Sequence, residues 1–198
     1  MTHKKKSLID EFNAFLEIDP EHLRVVHRYQ ELLLRNASNF STLFSSYLSG
    51  FPATAKVLKK HQRQGGNLEI LIQQQVNHLF SLISNPDNPE YLTQQQQIGS
   101  THHHWKIAPV WIMGAYQLYQ QYLQDIAQHS TEIAESDRAP LAEALRKLLF
   151  RDMGLMLEGY WQAATAILQH EKQQSEELQQ QLHSLMKNIP QIIWSIDV

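Results

Sequence analysis

Cysteine is absent from the 198 residues, which excludes disulfides, thiolate catalysis and thiolate-held iron–sulfur clusters. Glycine and proline are scarce, seven of each, while leucine and glutamine abound, a balance that favours helix over strand. No apolar run approaches the roughly 18 residues of a membrane span, and the N-terminus lacks a signal-peptide core, so a soluble, cytoplasmic chain is expected. Charge of one sign is lacking too. The net charge is −3 with 19% charged residues, which gives no electrostatic reason to bind nucleic acid. The one basic block, Lys4-Lys5-Lys6, reads as a solvated terminus. Nor does the sequence hold a Ser/His/Asp set, a paired-carboxylate arrangement or a phosphate loop, so no enzyme is expected within this segment. What remains is 42% apolar residues, enough for one domain and an extension.

Those residues fall at helical spacing almost throughout. Asp19-Pro20-Glu21 supplies a cap, a first-turn proline and an acid at the positive end of the helix dipole, and Leu23, Val26, Leu33 and Leu34 follow on one side. After a break at Asn36–Ser38 come Phe40, Leu43, Phe44, Tyr47 and Leu48, then a Gly50-Phe51-Pro52 turn and a short helix through Val57 and Leu58. Gly65-Gly66-Asn67 stops that helix and caps the next, which carries Leu68, Leu71, Ile72, Val76, Leu79, Phe80 and Ile83. A helix over Glu90–Lys106 ends near Pro109, since the residue before proline resists the helical conformation. Pro109 opens another helix, with Trp111, Ala115, Leu118, Tyr122 and Ile126 predicted inward. Pro140 opens the last, with Leu141, Leu145, Leu148, Leu149, Met156, Leu157, Tyr160, Ala164 and Ile167 inward. The class is all-α, with seven or eight helices. From Glu171 the chain turns polar, and Leu178, Leu182 and Leu185 form a short coiled-coil seam. Asn188-Ile189-Pro190 is predicted to end that helix, and residues 191–198 to open a strand.

Three consecutive histidines, His102-His103-His104, invite a metal reading, but neighbours on a helix point about 100° apart and cannot converge on one small ion. One of them can ligate something large and apolar while the others face elsewhere. His102 shares its side with Ile98 and Trp105, whereas His103 lies with Gly99 and Lys106, and His104 with Ser100 and Thr101. A single imidazole on an apolar face is as a rule a hydrogen-bonded core residue, so the pattern alone leaves both roles open. His61 and His78 read as surface residues.

The segment Ile98-Gly99-Ser100-Thr101-His102 through Pro109 and Trp111 to Tyr116 resembles the signature of globin-coupled sensors: an Ile-Gly pair, a histidine three residues after the glycine, a proline seven later and an aromatic two beyond that. Leu145–Tyr160, with its Leu-Leu pair, Asp152 and Tyr160, is similar to that family's final helix; Leu16–Leu34 is similar to its N-terminal entry helix, and Phe44–Leu58 to the segment that roofs the heme. The resemblance implies a sensor globin domain over residues 1–170, a coiled-coil linker over 171–188, and the truncated start of a PAS-like domain over 189–198. It implies heme b with iron held by His102, in a pocket walled by Phe44, Leu71, Ile72, Phe80, Ile98 and Trp111. The distal donor position falls on Ser45, with Tyr47 the alternative. It further implies a diatomic gas ligand (O2 first, CO or NO behind it), a homodimer through the last two long helices and the seam, and a kinase or cyclase output beyond Val198. A heme-free globin-like signalling module and a purely structural dimerisation domain are the competing readings.

Overall fold

The computed structural model describes residues 8–194, with side chains through residue 187. Among them run nine helices: α1 (Leu8–Phe15), α2 (Pro20–Arg28), α3 (Gln30–Arg35), α4 (Ala37–Gly50), α5 (Pro52–Arg63), α6 (Leu68–Ser84), α7 (Pro89–His104), α8 (Pro109–His129) and α9 (Glu135–Trp194). There is no strand among the described residues, as the all-α reading expects. The chain divides into two compact units, residues 1–160 and 161–198.

Local chemistry sets the helix starts. The Asp19 side chain accepts from the amides of Glu21 and His22, at 2.9 and 3.0 Å, which occupies donors that the first turn leaves without helical partners. Asn67 and Asn88 do the same for Glu69 and Glu90, at 2.7 and 2.8 Å. The predicted break at Asn36 is present, and a second break at Tyr29 separates α2 from α3.

One continuous apolar core fills the first unit. Phe40 lies between the rings of Phe44, Tyr119 and Tyr122, with centroids 4.3–5.4 Å away. Around it pack Leu33, Leu79, Leu82, Leu123, Leu141, Leu145 and Leu148, all buried.

Three details depart from the sequence reading. On α8 the fully buried stripe is Ile112, Tyr116, Tyr119, Leu123 and Ala127, one residue on from the predicted one. Ala115, Leu118, Tyr122 and Ile126 flank the core, and Trp111 is 39% exposed. The rotation, about 100°, comes from two tyrosines whose hydroxyls find buried acceptors and can therefore turn inward. The last helix starts at Glu135 rather than Pro140, and its inward stripe ends near Tyr160, leaving Ile167 half exposed. It also runs through Asn188-Ile189-Pro190 to Trp194, so residues 191–194 are helix and not strand. Ser195–Val198, the rest of the predicted strand, lie outside the described residues.

The start of α9 is tied to α2 by Asp137, whose Oδ2 accepts from Arg28 Nη1 at 2.5 Å and Tyr29 Oη at 2.8 Å. The Tyr29 hydroxyl and then the Arg28 guanidinium hold this carboxyl below its ordinary range. A carboxyl depressed in the folded state adds stability above its unfolded pKa and loses it as pH falls through the folded one. Denaturant titrations from pH 7 to pH 2 are therefore expected to show an acid loss of stability that Asp137→Asn reduces.

Candidate functional site

Helix α7 carries the candidate ligand. Pro89 opens it under the Asn88 cap, and Trp105 closes it with its amide on Thr101 O at 3.0 Å. Lys106 then takes a left-handed conformation, φ +58, which caps the helix end: its amide donates to His103 O at 2.9 Å and that of Ile107 to His102 O at 3.0 Å.

The three histidines diverge. His102 is largely buried, and its Nδ1 lies 2.8 Å from the carbonyl oxygen of Ile98. A carbonyl only accepts, so Nδ1 carries the proton and Nε2 keeps its lone pair. Burial is the main cause that pushes this imidazole below its usual pKa, and the neighbouring His78 adds to it, against the opposing effect of the Ile98 bond. The result is a neutral, oriented base. His103 sets its ring edge-on to Tyr160, with centroids 5.0 Å apart, and His104 is exposed. Trp105 packs edge-on to His61 at 5.3 Å and lies under the Lys60 ammonium at 5.4 Å, so His61 is engaged rather than free at the surface.

The other expected pocket residues separate into two groups. Phe44 is buried, and Ser45, Leu71, Ile72 and Ile98 are half-buried. Tyr47, Phe80 and Trp111 are 45%, 52% and 39% exposed. Tyr47 turns outward against the ring of Phe51 at 4.8 Å, about 200° around α4 from Ser45. On α6 the fully buried positions are Leu79, Leu82 and Ile83, which leaves Phe80 on the outer side. Two surface hollows of about 220 and 360 Å³ are lined by Leu23, His27 and residues 83–87, and by Pro89, Glu90, Thr93, Gln94 and Gln97; neither borders His102.

Sequence reasoning missed a buried polar cluster beside this site. Asp152 on α9, 1% exposed, accepts from Tyr91 Oη at 2.6 Å and Tyr116 Oη at 2.9 Å, and its Oδ2 lies 3.0 Å from His78 Nε2. His78 is thus buried on α6 and not a surface residue. Burial and then the Asp152 charge push both phenols well above their ordinary pKa, so both stay protonated donors. Next to them Tyr119 Oη donates to Gln75 Oε1. One carboxylate thereby joins α6, α7, α8 and α9. Helical spacing carried the signal: His78 lies three after Gln75 and four before Leu82, and Asp152 sits between Leu148, Leu149, Leu155 and Met156.

Comparison with known proteins places this arrangement. Residues 5–166 match the profile of the family described as Protoglobin. The structure is similar to the globin domain of the Geobacter sulfurreducens globin-coupled sensor, with TM-score 0.68 and 23% identity over 76% of this chain and 95% of that one. It is also similar to the ferric globin domain of E. coli DosC, with TM-score 0.61 and 15% identity over 76% and 97%. A comparison with curated protein sequences finds no significant match. The fold is all-α and globin-like.

Proposed function

This chain belongs to the Protoglobin family, and from that premise we propose that it is a heme-binding, gas-sensing globin module with His102 as the iron ligand. The observation that carries the reading is the His102 imidazole, largely buried, held neutral and fixed by the Ile98 carbonyl so that Nε2 keeps its lone pair. Metal-ligating histidines commonly donate their other ring nitrogen in this way, which fixes the tautomer and raises basicity. The donor set fits heme b: one neutral imidazole, and apolar side chains from Phe44, Leu71, Ile72 and Ile98 for the porphyrin faces. Heme, when bound, would supply an iron able to take a diatomic gas.

The chain's own residues do the rest. Helix α7 orients the imidazole, the apolar residues exclude water, and Ser45, next to buried Phe44, is the proposed donor of a hydrogen bond toward a polar ligand such as O2. Tyr47, turned outward, is the weaker candidate. O2 is the leading ligand, ahead of CO and NO, which depend less on such a donor. The sensor regulates an output module in a homodimer built on α8 and α9; the exposed Leu178, Leu182 and Leu185, each about 60% accessible, supply the seam. No described helix is long and apolar enough to cross a membrane.

An absorption series tests the reading. Protein reconstituted with hemin is expected to give ferric and ferrous spectra that change on addition of O2, CO and NO. Slower O2 release in Ser45→Tyr is expected if Ser45 holds the distal position. Protein that stays colourless with hemin overturns the heme reading and leaves a heme-free globin module.

A further inference from the structure

The helix that carries His102 lies against α9 with no side chain between the two backbones. A Cβ added at Gly99 would lie 1.8 Å from the carbonyl oxygen of Met156, and one at Gly159 would lie 1.9 Å from that of Gln96. Both values are far inside any real contact, and the opposing atoms are backbone carbonyls that no rotamer change can move. The two glycines therefore serve one crossing from opposite sides. Its centre is one turn before His102, and Gly99 adjoins Ile98, whose carbonyl fixes the imidazole. On either side the same helices are joined by the Tyr91–Asp152 bond at 2.6 Å and by the ring of His103 on Tyr160.

We infer that Gly99 and Gly159 are positioning residues for the iron-binding imidazole, clamping α7 directly on the backbone of α9. The inference rests on the assignment of His102 as ligand. Displacement of His102 is carried to α9 at this crossing, without passing first through the Pro109 turn and α8. Glycine in a helix interior is unfavourable by propensity, so an open position gains from a side chain and this one loses. Gly114 on α8 provides the contrast, since nothing lies within 4 Å of a Cβ there.

The test compares Gly159→Ala, Gly99→Ala and Gly114→Ala in the full chain by two measurements. Without hemin, amide exchange across Gln95–His103 is expected to quicken by about tenfold or more in the first two variants and to stay at the wild-type rate in the third, because local opening reports local packing. With hemin and reduction, the iron–histidine stretching band is expected to shift in the first two and not in Gly114→Ala. Should Gly159→Ala not fold, Tyr91→Phe, which keeps the ring and removes the bond to Asp152, is expected to quicken exchange in α7 and to shift the band from its wild-type position. Exchange rates and a band indistinguishable from Gly114→Ala overturn the clamp while leaving the ligand assignment standing. A wild-type protein with no such band overturns the ligand assignment, and with it the positioning role, while the exchange arm still reports the crossing.

Discussion

Asp152→Ala is expected to destabilise the first unit by about 3–5 kcal/mol, since it strands several hydrogen-bonded groups at about 1–3 kcal/mol each. The reason is what it leaves behind. Tyr91 and Tyr116 lose the acceptor for hydroxyls that burial keeps protonated, and His78 loses the carboxylate 3.0 Å from its Nε2. Each stranded polar group costs its desolvation in full, about 1–3 kcal/mol. Asp152→Asn keeps the shape and one acceptor oxygen and is expected to cost less, about 1–3 kcal/mol. Because the carboxylate holds four helices at one point, the loss should show as a lower denaturant midpoint for the whole unit with an unchanged slope. A midpoint for Asp152→Ala equal to wild type would mean that the cluster contributes nothing net.

The second large effect concerns His102. Replacing it by alanine is expected to weaken hemin binding by more than about 100-fold, since losing only an outer partner of a metal ligand already costs roughly 10–100-fold. His103→Ala and His104→Ala are expected to leave hemin affinity near wild type, because His103 packs on Tyr160 and His104 faces solvent. Removing the His102 side chain should leave the fold intact, as its ring bonds to the Ile98 carbonyl, which is already placed within the helix. Titration of hemin into each variant, followed at the Soret band, separates the three.

Periodicity and capping residues made the helices legible. The starts at Pro20, Leu68 and Pro109 follow from Asp19, Asn67 and proline chemistry that acts over four residues. The face of α8 was not legible, because Trp111 and Ile126 look more apolar than Tyr116 and Tyr119. Only the distant acceptors Asp152 and Gln75 make the tyrosines the inward side. His102 was singled out by its apolar neighbours and by a family resemblance. The Ile98 bond that orients its ring depends on a rotamer, which no spacing encodes. The pairing of His78 with Asp152 was not legible for a related reason: a polar residue within an apolar stripe reads as an exception until its partner is known, and those partners lie on other helices. The glycine crossing is similar, since Gly99 and Gly159 look like weak helix formers until the Met156 and Gln96 carbonyls are seen against them.

The iron–histidine vibration of the ferrous, hemin-reconstituted protein tests the central claim most directly. The account expects a resonance Raman band from a single neutral imidazole in the wild type, its loss in His102→Gly, and its return when free imidazole is added to that variant. A wild-type band that survives His102→Gly unchanged, or no band in a protein that has taken up hemin, would contradict it.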